Sequence, residues 1–162
     1  MKIQGKTNVA PSNLQLPLPR IDENGEEYFI VFEAQMITDF TKFNALCPMP
    51  KPPVQSDKHG TKIELVMDER FLKAQDDWAT KKFSWTVLRS LEATKDLEWT
   101  TIKKNDASTW NNYRQELEDA GFRPAEVNKI VSMVIDANII TDEKLAEARM
   151  RFLALRAAQD KK

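Results

Sequence analysis

The chain runs on two hydrophobic periods, and the change between them divides it. From Leu14 the order LQLPLPR sets Leu14, Leu16 and Leu18 at every second position, and EEYFIVFEAQMI then supplies aromatic and β-branched residues. A period of two belongs to a strand with one buried face. Between the runs, IDENG carries Asn24-Gly25, a pair suited to the positive φ of a tight turn. A β-hairpin is predicted here. Pro17 and Pro19 lack an N–H, so the first strand belongs at an edge. Residues 1–13 show no pattern and read as a flexible arm.

Downstream the period becomes that of a helix. Thr38 can cap a short helix, TDFTKFNAL, with Asp39 in its first turn and Phe40, Phe43 and Leu46 at helical spacing. From Asp68 to Ala93, Phe71, Trp78, Trp85, Leu88 and Leu91 form one stripe of a long helix, opened by Asp68 and Glu69. Leu97 and Trp99 anchor the connector that follows. Trp110, Tyr113 and Leu117 mark the buried face of a helix over 108–120, capped by Asp106 or Ser108. Gly121 suits its C-terminal cap, and Pro124 suits the first turn of the next helix. That helix buries Val127, Ile130, Val131, Val134 and Ile135 and ends near Asn138. Thr141 caps a last helix whose stripe is Leu145, Ala148, Phe152 and Leu155.

The stretch CPMPKPPVQSDKHG holds four prolines, which exclude a helix interior and a central strand. It reads as a linker or surface loop over 48–67. The expected architecture is mainly α: a helical bundle of four to five helices with a small N-terminal β-hairpin. Its expected segments are the arm at 1–13, hairpin plus short helix at 14–47, the Pro-rich linker at 48–67 and a helical domain at 68–158.

Composition narrows the chemistry. The 162 residues carry 24 Lys+Arg against 25 Asp+Glu, a formal net charge of -1. A nucleic-acid binder needs a net basic face to displace counterions from phosphates, so none is expected as a partner. With 41% hydrophobic and 30% charged residues the chain has the balance of a globular protein. The basic start at Met1-Lys2 is followed by no apolar segment of the secretory kind, and no apolar stretch approaches the about 20 residues that cross a bilayer. No membrane association is expected, and the expected location is the cytoplasm of a cell or an infected host.

One Cys and one His remove most catalytic constellations. His59, in DKHG, reads as a solvated loop histidine. Cys47 sits at a helix end, where the dipole does nothing to lower a thiol pKa, and reads as structural. Asp76-Asp77 and Glu116, Glu118 and Asp119 read as wet helix faces rather than a converging pair of catalytic carboxylates. DANIITDEKLAE lacks the central Gly and alternating ligands of a calcium loop. The helices at 108–120 and 124–138 could form a helix-turn-helix, but Lys129 is the main cation of the would-be recognition helix. No enzyme activity, metal or cofactor is expected. Protein-binding candidates remain. Trp78 lies among Asp76, Asp77 and Lys81, and the last helix presents Leu145, Phe152 and Leu155 beside Arg149.

Two passages, FSWTVLRSLEATKDLEWTTI and STWNNYRQELEDAGFRPAEVNKIVSMVIDANIITDEKLAEARMRFLA, carry a resemblance that YFIVFEAQMITDFTKFNALCP is compatible with. Over Lys82 to Leu155 the chain resembles the tail assembly chaperones of long-tailed, siphovirus-like bacteriophages. The resemblance rests on element order and on phrases such as SLEAT…LEW and ELEDAGF. It implies a non-enzymatic role in the host cytoplasm. Such proteins coat the aggregation-prone tape-measure protein while tail-tube subunits polymerise around it, and many are made in two lengths by ribosomal frameshifting. The implied partners are the tape-measure protein and the tail-tube protein, with a homo-oligomer also compatible. Two further readings stand beside it: a virion structural protein of the neck or tail end, and a small helix-turn-helix DNA-binding regulator.

Overall fold

The computed structural model describes residues 13–139 together with Ala146, Arg149, Met150 and Leu153. Strands β1 (Leu14–Ile21) and β2 (Glu27–Ala34) pair antiparallel, with Leu18 opposite Ile30 and Leu16 opposite Phe32. Their period of two gives one inner face, where Leu18, Phe32 and Ala34 are buried with Leu16 and Ile30 packed beside them. The outer face shows Pro17, Pro19, Ile21, Phe29 and Val31.

The connection is a five-residue loop, Asp22 to Glu26. The Asp22 carboxylate accepts the N–H groups of Asn24 (2.8 Å) and Glu26 (2.9 Å), and Gly25 takes φ +82. Asp22 thus organises the turn, and Asn24-Gly25 does not act as a two-residue hairpin loop. Helix α1 (Thr41–Leu46) starts two residues later than Thr38 as cap would place it, because Asp39 takes the Thr41 N–H instead (2.8 Å). α1 delivers Phe43, fully buried, against Trp78, Trp85 and Trp110 at centroid distances of 5.7, 5.7 and 6.2 Å.

The Pro-rich stretch is more than a linker. It contains a second hairpin, β3 (Val54–Ser56) and β4 (Lys62–Glu64), in which every strand residue is exposed. Its loop, Asp57 to Thr61, repeats the first: Asp57 accepts from the N–H groups of His59 and Thr61 (both 2.8 Å), and Gly60 has φ +79. Both loops read Asp-x-x-Gly-x. The prolines precede the strands and leave the ladder positions free.

Helix α2 (Glu69–Leu91) is capped by the Asp68 carboxylate, which accepts from Arg70 N–H (3.0 Å) and Phe71 N–H (3.1 Å). Its first half buries Phe71 alone, and its second half buries Ser84, Trp85, Val87, Leu88, Ser90 and Leu91. A connector leads to a 3-10 turn at Trp110–Asn112, which runs into α3 (Tyr113–Asp119). α3 closes at Gly121 (φ +94), where Phe122 N–H reaches the Leu117 carbonyl (3.1 Å), the left-handed end that glycine permits. α4 (Pro124–Asn138) buries Glu126, Val127, Ile130, Val131, Met133 and Val134.

The architecture is therefore not a helical bundle with a hairpin appended. Among the described residues there are four α-helices, one of them only six residues long, and two separate two-stranded antiparallel sheets, a mixed α/β arrangement. The reason lies in the first hairpin. Its apolar inner face belongs to the same core as α2, α3 and α4, packing on α2 and α4. A sheet that supplies Leu18, Phe32 and Ala34 to the core takes the place a further helix would hold. The expected last helix falls outside the described residues except for Ala146, Arg149, Met150 and Leu153, which are helical and exposed.

Candidate functional site

Two locks hold the first hairpin on the helices. Asn138, the last residue of α4, accepts the Ile37 N–H (2.8 Å) and donates to the Val134 carbonyl (2.8 Å) and Ser90 Oγ (3.2 Å). Ser90 Oγ in turn donates to the Gln35 carbonyl (2.6 Å). At the other end, Arg20 forks onto Glu126 at 2.9 and 3.1 Å and lies over the Phe122 ring. The Arg20 guanidinium, then the Arg123 N–H, hold the Glu126 carboxyl down to about 2.

These locks fix the surface on which the connector after α2 lies. The connector turns at Asp96, whose φ of 56 is left-handed, and it is pinned by Glu116 of α3. That carboxylate accepts the N–H groups of Thr100 (2.8 Å) and Thr101 (2.6 Å) and the Thr101 hydroxyl. Burial works to raise its pKa, but these hydrogen bonds outweigh burial and keep it below the ordinary range. Further on, Ile102 is buried and the Trp110 indole N–H donates to the Lys103 carbonyl (3.1 Å). Between the Asp96 turn and the Glu116 pin, Leu97 and Trp99 are held half-buried.

A depression opens on each side of Leu97 and Trp99. One, of about 340 Å³, has Trp85, Leu88 and Trp110 as its floor and Lys42, Arg89 and Lys104 at its rim. Arg89 is paired with Glu92, and its buried Nε has no hydrogen-bond partner among the described residues. The other, of about 510 Å³, is bounded by β2, the 94–100 connector and α3, with Phe29, Val31, Leu117 and Phe122 in its wall. Phe29 (55% exposed) and Val31 (43%) extend this apolar wall onto the outer face of the hairpin. Concave apolar surface ringed by a few charges suits apolar side chains of another molecule.

The residues singled out in the sequence fall elsewhere. Trp78 is half-buried and lines neither depression. Its indole N–H donates to the Cys47 carbonyl (3.0 Å), its ring meets Phe43, and Lys82 Nζ lies 5.0 Å from the ring centroid. It clamps the start of the Pro-rich stretch to α2. Arg149 is helical and exposed; Leu145, Phe152 and Leu155 lie outside the described residues. His59 is exposed at the tip of the second hairpin. Cys47 is half-buried, and burial pushes its thiol up, opposed by Lys81. α4 turns Val127, Ile130, Val131 and Val134 into the core, so its apolar positions are packing rather than groove-reading surface.

Among the described residues no group of three or more His, Cys, Asp or Glu could hold a metal ion, and no helix is long and apolar enough to cross a membrane. The Trp99 site was legible only in part. Leu97 and Trp99 read as anchors of the connector; that their flanks stay open depends on β2 and α3, which are remote in sequence. Comparisons with protein-family models, curated proteins and solved structures gave no match.

Proposed function

We propose that this chain is a non-enzymatic tail assembly chaperone of a long-tailed bacteriophage, which covers the tape-measure protein in the host cytoplasm while tail-tube subunits assemble around it. The observation that carries the reading is the apolar surface around Leu97 and Trp99. Two depressions flank these side chains, and the exposed Phe29 and Val31 continue their apolar wall, so concave and flat greasy surface meet at one place. The resemblance over Lys82 to Leu155 points the same way, and Met150 and Leu153 are exposed apolar residues as well.

Co-expression tests it. With this chain present, the tape-measure protein encoded beside it stays in the supernatant; alone, it pellets. The variant Leu97→Asp with Trp99→Ala, its fold checked by near-UV dichroism, should lose the protection. Charged replacements at Leu145, Phe152 and Leu155 test the last helix in the same assay. A tape-measure protein that pellets equally with and without this chain refutes the proposal. So does detection of this chain in purified virions at a fixed ring-like copy number, which a neck or tail-end protein would show.

A further inference from the structure

The first hairpin has two unlike edges. In an extended strand the N–H and C=O of one residue point the same way, and successive residues alternate. Glu33 directs both groups at Thr94 Oγ1 (2.8 and 3.0 Å), away from β1, and the Gln35 N–H goes to the Ser90 carbonyl (3.0 Å). The odd-numbered residues of β2 therefore face its outer edge. Thr94 and Ser90 stand in for a third strand at Glu33 and Gln35. The same parity turns the N–H and C=O of Phe29 and Val31 outward, where they have no hydrogen-bond partner among the described residues. Opposite them on β1 stand Pro19 and Pro17, so the far edge offers no N–H at those positions.

We propose that the open edge of β2 binds an extended peptide segment as an added strand, with apolar side chains at alternate positions and basic residues flanking them. Two residues that each present a donor and an acceptor at strand spacing match an extended backbone; a helix, which satisfies its backbone internally, cannot meet them. The added strand would turn alternate side chains toward the depression walled by Leu97, Trp99 and Phe122. The charges at that wall are Asp96, Glu98 and Glu116 against Lys95 alone, and Glu116 is held ionised by its hydrogen bonds. That balance selects a basic flank. A second copy of β2 fits poorly: antiparallel pairing centred on residue 30 sets Glu27 opposite Glu33, like charges facing across the ladder.

The inference deepens the client-binding reading, and its test separates the two. The probe is a fluorescein-labelled ten-residue peptide of alternating valine and threonine with a lysine pair at each end. It is expected to bind the full chain and to slow hydrogen exchange of the Phe29 and Val31 amides at least tenfold. Alternate N-methylation of the peptide along one edge should abolish binding, a control that leaves the protein untouched. Val31→Pro, which removes an outward N–H and no ladder N–H, should weaken binding at least tenfold, and Val31→Ala controls for the lost side chain. Three results would overturn the inference. The first is absence of binding, or binding without protection of those two amides. The second is protection by an amphipathic helical peptide instead, which would leave the chaperone reading standing. The third is slow exchange of both amides in the free protein. Concentration dependence would then assign the edge to a second copy, and release on removal of residues 1–12 would assign it to this chain.

Discussion

Single residues carry much of the geometry here, and Glu126 does so with charge. Its carboxyl titrates at about 2 in the fold against an ordinary 4.5, because Arg20 and Arg123 hold its ionised form. A depressed folded pKa stabilises the fold above the ordinary value and is lost as pH falls toward the folded one. The native protein should therefore lose stability between pH 4.5 and about 2. Glu126→Gln should flatten that part of the profile, as measured by urea midpoints across pH. Asn138 acts through hydrogen bonds instead. Asn138→Ala leaves the Ile37 N–H without its acceptor and should cost about 1–3 kcal/mol, read by chemical denaturation. Phe43 acts by volume: with no exposed surface and three tryptophans around it, Phe43→Ala should cost about 3–5 kcal/mol.

At the scale of elements, the turns show what a local reading can and cannot reach. The period of two over 14–34, the acidic start of α2 at Asp68 and Glu69, the Gly121 stop and Pro124 at the start of α4 all act within a few residues and are legible; that Asp68 is the cap itself is shown only by its bonds to the Arg70 and Phe71 N–H groups. The second hairpin was not, because four prolines outweighed a signal present in the letters: Asp57 and Gly60 repeat the spacing of Asp22 and Gly25. Since both loops rest on one carboxylate and one glycine, Asp57→Ala and Asp22→Ala should each loosen their own loop. The consequences differ. β3 and β4 are exposed throughout, so Asp57→Ala should speed amide exchange at Val54–Glu64 without moving the global midpoint. Asp22→Ala acts on a hairpin that forms part of the core and should lower the midpoint.

The whole molecule turns on that hairpin. Helical periodicity identified the correct faces of α2, α3 and α4 but said nothing of what lies against them; Ser84, Val87 and Ser90 are buried because the second half of α2 is covered on more than one side. The partner is a sheet whose distance in sequence hides it from any local pattern. Residues 68–162 expressed alone should accordingly keep helical far-UV dichroism but lose near-UV dichroism and cooperative unfolding. The faces that met Leu18 and Phe32 would stand open to water. An autonomous helical bundle would instead unfold sharply.

The outlying β3–β4 arm has a practical consequence. Its stem is tied down on both sides, by Trp78 holding Cys47 and by Asp68 capping α2, while Lys58 and His59 stand free in solvent at its tip. Trypsin should nick the chain there first, and the two fragments should stay together through native purification, parting only in denaturant. A fluorophore or affinity handle spliced beside His59 would ride on the folded protein while leaving the Trp99 surface unobstructed.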